Sequence, residues 1–83
     1  MKVPIKLVRK PANEIPVRSE FIRLDAFLKL ANAVESGGQA KMVIQEGKVR
    51  VNGEACLARG RKLRAGDVVR YAGENYKVTA GEA

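Results

Sequence analysis

The sequence predicts an α+β domain of short elements. Three observations carry that reading. Apolar residues fall at helical spacing over 24–34 and again over 40–44. Alternating segments flank an Asn-Gly pair at 52–53. Glycine-centred turns then divide the rest of the chain into short strand-length pieces.

The elements follow in order. Lys2 to Val8 alternates Val3, Ile5 and Leu7 against Lys2, Pro4 and Lys6, a strand pattern that Pro4 confines to a sheet edge. Lys10 to Pro16 holds two prolines and Asn13 and reads as a connector. Val17 to Ile22 is either a short strand or an extended lead-in. Leu24, Phe27, Leu28, Ala31 and Val34 form a helical stripe, with Asp25 in the first turn, where a carboxylate suits the free N–H groups. Gly37-Gly38 is read as the end of this helix.

A second helix starts at once. Ser36 and Gln39 match a capping box, Ala40, Val43 and Ile44 make its apolar stripe, and Gly47 stops it. Lys48 to Cys56 is a hairpin about Asn52-Gly53, because both turn positions need positive φ. In that register Val49 faces Cys56 and Val51 faces Glu54, so Lys48 and Arg50 point to the other side. Arg59-Gly60-Arg61-Lys62 is a basic loop, Ala65-Gly66-Asp67 a turn, and Val68 to Tyr71 a strand. Gly73-Glu74-Asn75 is a further turn before a strand over Tyr76 to Thr79.

Charge and composition bound the function. The 83 residues leave room for one domain. With 46% hydrophobic residues the chain folds rather than forming a disordered basic tail. No histidine is present, and Cys56 is the single cysteine. Ser-His-Asp catalysis, Cys-His catalysis, a disulfide framework and a cysteine-based zinc site are therefore all excluded. No apolar run reaches the ~20 residues of a membrane span, and no signal peptide opens the chain. The expectation is a reducing cytoplasm, no enzyme activity, no cofactor or metal, and no small-molecule substrate.

The net charge of +7 is segmental. Residues 1–18 carry +4, 19–40 carry −1, 41–64 carry +5 and 65–83 carry −1. If the two basic segments meet, they form one face that attracts a polyanion. Arg59, Arg61, Lys62 and Arg64 crowd six positions, which costs repulsion unless an anion or acids neutralise them. The Ser36-Gly37-Gly38 corner can present N–H groups to a phosphate, or serve only as a capped turn. Lys41, Lys48 and Arg50 can track a backbone or simply stand in water. Cys56 reads as a small apolar filler, and Asp25 and Asp67 as structural. Aromatic residues lie in the predicted helix and strands without basic interleaving, so no stacking platform for splayed bases is expected.

The ordered motifs also resemble a known family. They are Leu24-Asp25-x-Phe27-Leu28-Lys29, Ser36-Gly37-Gly38-x-Ala40-Lys41, Gly47-x-Val49-x-Val51-Asn52-Gly53-Glu54, and Arg59-Gly60-x-Lys62-Leu63-x-x-Gly66-Asp67-x-Val69. Together, over residues 20–79, they resemble the S-four RNA-binding domain, or alpha-L RNA-binding motif. Within it they are most similar to the small stand-alone bacterial members of the YbcJ/YaaA type. The resemblance implies two helices packed on a small, mostly antiparallel sheet, and binding to structured RNA such as ribosomal or transfer RNA. It places RNA contacts at Ser36, Gly38, Lys41, Lys48, Arg59 and Arg61; the charge pattern adds Arg50, Lys62 and Arg64. Gln39, Cys56, Ala58 and Gly37 depart from residues common in the family, which shifts weight to Lys41 and the 59–64 loop. The domain is expected over 19–80, after an N-terminal extension over 1–18 and before a tail over 81–83.

The expected protein is a monomer bound to structured RNA, with the ribosome as a candidate carrier and no membrane partner. Two other classes compete. One is a ubiquitin-like protein-interaction module of the sulfur-carrier type, which needs a C-terminal Gly-Gly where this chain reads Ala80-Gly81-Glu82-Ala83. The other is a regulatory accessory domain of an RNA-acting enzyme.

Overall fold

The computed structural model describes residues 13–81. The strand expected over Lys2 to Val8 lies outside the described residues. The elements are β1 (Asn13–Val17), β2 (Ile22–Arg23), α1 (Leu24–Leu30), α2 (Gly37–Gln45), β3 (Arg50–Val51), β4 (Glu54–Ala55), β5 (Lys62–Leu63), β6 (Val68–Tyr71) and β7 (Glu74–Ala80). Five strands form a mixed, mostly antiparallel sheet in the order β1-β7-β6-β3-β4, and β2 pairs with β5 in a separate antiparallel ribbon. This is the α+β architecture that the sequence implies.

Period-2 alternation turns one face of the sheet inward. Val51, Val69 and Val78 are buried, and they meet Leu24, Phe27 and Leu28 of α1 and Ala40, Val43 and Ile44 of α2 in one core. Phe27 is its largest fully buried side chain. Burying a residue of that kind contributes about 1.5–3 kcal/mol. Among the described residues no polar or charged side chain is buried. Cys56 is buried and free, in keeping with an apolar filler.

Four boundaries differ from the sequence reading. First, Asn13–Val17 is not a connector but strand β1, parallel to β7 from Asn13↔Tyr76 to Val17↔Ala80. Pro16 is tolerated because β1 is the sheet edge, where a missing N–H breaks no ladder. Ala80 closes that ladder, and the Gly81 N–H donates to Val17 O at 2.9 Å.

Second, α1 ends at Leu30, well before Gly37-Gly38. Asn32 has φ 59°, and its N–H donates to Lys29 O while that of Ala33 donates to Leu28 O. This is a Schellman stop built on Asn, and it leaves Val34 buried in the connecting turn. Gly37 and Gly38 instead open α2. The same device ends α2: Gly47, φ 77°, donates to Ile44 O and Lys48 to Val43 O.

Third, Lys62 belongs to strand β5, so the basic loop closes at Arg61. Fourth, the turn before the last strand is Ala72-Gly73, with φ 55° and 81°, and Glu74 and Asn75 already pair with β6.

The Asn52-Gly53 hairpin is as expected, with φ 52° and 89°, and Val51 lies in register with Glu54. Asn52 does more than turn the chain. Its Oδ1 accepts from Val68 N at 3.0 Å and its Nδ2 donates to Asp67 Oδ1 at 3.2 Å, pinning the hairpin to the start of β6.

Candidate nucleic-acid interface

The basic loop is held by the first turn of α1. A helix begins with N–H groups that lack intrahelical partners. Here Arg23, the N-cap residue, supplies no side-chain cap. Two carbonyls of the loop do the work instead: Leu24 N donates to Arg61 O at 2.8 Å and Asp25 N to Arg59 O at 3.1 Å. The loop is further closed by Arg61 N donating to Ala58 O at 3.0 Å, and β2 pairs with β5 next to it through Arg23↔Lys62. With their carbonyls bonded to α1, Arg59 and Arg61 leave their side chains exposed.

Arg23 sits at the centre of this arrangement. Its guanidinium donates to Asp25 Oδ2 at 3.1 Å and lies about 3.9 Å from where a Cβ on Gly60 would stand. Asp25 also accepts from Ala26 N through Oδ1 at 2.8 Å, so this acid is structural. A shallow cleft lined by Arg23, Asp25, Ala26, Lys29 and Gly37 runs from there to the start of α2.

At that start Ser36 Oγ accepts from Gln39 N at 3.1 Å. Gln39 Oε1 reaches back to Glu35 N at 2.7 Å, one residue beyond the usual capping box. The N–H groups of Gly37 and Gly38 precede the first intrahelical bond, and no atom would contact a Cβ on Gly37 within 4 Å, so the helix end is open. Lys41, one turn after Gly37, extends the row along the exposed side of α2.

The fold thus gathers Ser36, Gly38, Lys41, Arg59, Arg61 and Lys62 around the two helix N-termini. It adds Arg23 and Lys29, which the sequence reading did not single out. The signal for them was available, since both lie within the α1 motif and its lead-in, but only the loop's attachment to α1 shows that they join the patch.

The remaining three candidates lie elsewhere. Lys48 is engaged by Glu46 at 3.1 Å. Arg50 points to the outer face of the sheet, away from the helices, and its Nη1 donates to Gly53 O at 3.3 Å. Arg64 follows buried Leu63, and its backbone N–H donates to Asp67 Oδ2 at 2.9 Å, so Asp67 also shapes a turn.

The electrostatics favour an anion at the gathered patch. Among the described residues the ion pairs are Arg23–Asp25 and Lys48–Glu46. Lys29, Lys41, Arg59, Arg61 and Lys62 have no described carboxylate within the 4.0 Å of an ion pair. Lys62 Nζ instead lies 4.7 Å from the centroid of the half-exposed Phe21 ring. That contact keeps the ammonium at the surface and supports it from below. Phe21 falls just outside β2 rather than in a strand.

The chain is similar to known proteins along most of its length. The profile of the S4 domain family matches residues 15–79. The chain is 50% identical over 62 residues to the probable ribosome maturation protein RlbA of Bacillus subtilis, covering 75% of this chain and 87% of that protein. It is 41% identical over 59 residues to YbcJ of Escherichia coli, covering 71% and 84% of the two chains. The solution structure of E. coli YbcJ, described as revealing an alpha-L motif involved in RNA binding, superposes with a TM-score of 0.61 at 30% identity. That match covers 96% of this chain and 100% of YbcJ.

Proposed function

The chain belongs to the S4 domain family, and on that premise we propose that it is a non-catalytic RNA-binding protein that grips structured RNA through its helix-side basic patch. The observation that carries the reading is the attachment of Arg59 and Arg61 to the first turn of α1, which brings a basic loop with no described carboxylate in ion-pair range beside the open start of α2. Phosphates lie against Lys41, Arg59, Arg61 and Lys29, and the Gly37 and Gly38 N–H groups offer one more anion contact at a helix start. With phosphates dominating, recognition rests on the shape and 2′-hydroxyls of folded RNA. The likeness to RlbA favours ribosomal RNA during ribosome maturation as the target. The protein works as a cytoplasmic monomer.

Charge reversal tests the reading. Lys41→Glu and Arg61→Glu should each weaken binding to a structured RNA fragment by about 1 kcal/mol or more, since each replaces attraction by repulsion near phosphates. Lys77→Glu makes the same change in net charge away from the helix-side patch and, against an RNA fragment short enough to fill that patch alone, should cost clearly less. Thermal melts establish first that all three variants are folded. Equal losses for the three would reject a localised site.

A further inference from the structure

Arg50 and Arg70 are register partners on adjacent strands β3 and β6. The Asn52 N–H donates to Val68 O at 2.8 Å, so by the antiparallel pattern Arg50 and Arg70, two residues along, also form a hydrogen-bonded pair. Their side chains leave the same face of the sheet. Val51 and Val69, the neighbouring pair, are buried against the helices, so the two arginines face the opposite way.

Like charges directly opposite one another destabilise a sheet. Among the described residues the row across the sheet offers nothing to offset them: it runs Ala55, Arg50, Arg70, Asn75. Glu54 and Glu74 stand in register with Val51 and Tyr71, hence on the inner side. Lys77 lies on the outer face too, but it is in register with Glu14, an acid of its own. Neither Arg50 nor Arg70 has a described carboxylate within the 4.0 Å of an ion pair.

From this juxtaposition we infer that Arg50 and Arg70 form a second phosphate-binding site, on the outer face of the sheet, which takes the backbone of a separate RNA segment. Two neighbouring guanidinium forks match phosphate oxygens, and the Asn75 amide extends the same row of donors. The Gly53 carbonyl holds one end of the Arg50 fork in place. The sheet and the helix layer separate this site from the helix-side patch, so the two faces take two RNA segments and the domain bridges them. The inference rests on the RNA-binding reading above.

The experiment uses the full chain, at concentrations where sedimentation shows a monomer, with two short RNA duplexes carrying a donor and an acceptor fluorophore. Wild type should bind a first duplex and then bring the second within energy-transfer range. R70Q should leave first-duplex affinity within about twofold and weaken the second by about fivefold or more, as loss of a charged hydrogen bond does. It should also raise Tm by about 1–4 °C, because the unliganded pair repels. A rise in Tm with a loss of binding is the mark of a site rather than of a structural arginine. An unchanged second affinity in R70Q, or a wild type that binds one duplex but never two, would overturn the inference while leaving the first site standing. A wild type that binds no duplex would overturn both.

Discussion

Asn52 is the residue whose loss should be felt most for its size. Three things depend on it: the left-handed backbone at φ 52°, the acceptor for Val68 N, and the donor to Asp67. Asn52→Ala removes all three. Forcing alanine into the left-handed region costs about 1 kcal/mol. The two hydrogen bonds are solvent-exposed, so their loss together costs a further ~1–2 kcal/mol. The sum is roughly 2–3 kcal/mol, or a fall in Tm of roughly 10–20 °C for a domain of this size. Two other variants separate the causes. Asn52→Gly keeps the backbone free to turn and loses only the side-chain bonds, so it should cost about 1–2 kcal/mol. Gly53→Ala, at φ 89° with no atom within 4 Å of the new Cβ, meets only backbone strain and should cost about 1 kcal/mol. Thermal and urea melts of the four proteins measure the series. The reasoning is refuted if Asn52→Gly melts with wild type while Gly53→Ala matches Asn52→Ala, since the side-chain bonds would then carry no weight. RNA affinity well below the melting range should be unchanged throughout.

Two further predictions concern salt and pH. If four to six phosphates are neutralised, log K for a duplex RNA should fall against log salt with a slope of roughly −4 to −5; a flat titration rejects phosphate tracking. Burial, then Glu74, then Tyr71, hold the Tyr76 phenol above its ordinary 10.0. A raised folded-state pKa gives stability that is fully present below about pH 10 and lost as pH rises through the folded value, so Tyr76→Phe should lose less stability than wild type over that alkaline window. Parallel losses in urea melts would remove Tyr76 from the account.

Local chemistry was legible wherever one short segment decides the outcome. The Asn52-Gly53 turn, the Ser36 cap and the Gly47 stop are each set by neighbours in sequence. The first helix was read too long because Ala31 and Val34 continue its apolar spacing, while Asn32, a permissible left-handed stop, is a weaker signal than two glycines. Strand β1 was missed because its partner β7 lies at the other end of the domain and Pro16, with Pro11 before the strand, suggests a connector. The candidate site was half legible. Charge density pointed to Arg59, Arg61 and Lys62, and the family motif to Ser36, Gly38 and Lys41. What joins them, the carbonyls of Arg59 and Arg61 on the α1 amides, is a backbone contact that side-chain identity does not encode. Alternation alone sets Lys48 and Arg50 opposite Val49 and Val51, but only strand register puts Arg50 beside Arg70 on that face.

The parallel pairing of β1 with β7 also sets a timetable for synthesis. Residues 13–17 are made about sixty residues before their partner at 74–80. At roughly 5–20 residues per second, β1 waits several seconds on the ribosome without a ladder to join. A bare strand with every N–H free would be a template for another chain during that interval. Pro16 takes one donor out of the strand and so makes β1 a poorer partner for strangers. The same proline that hides the strand from a reader of the sequence thus protects the nascent chain while its own partner is still being made.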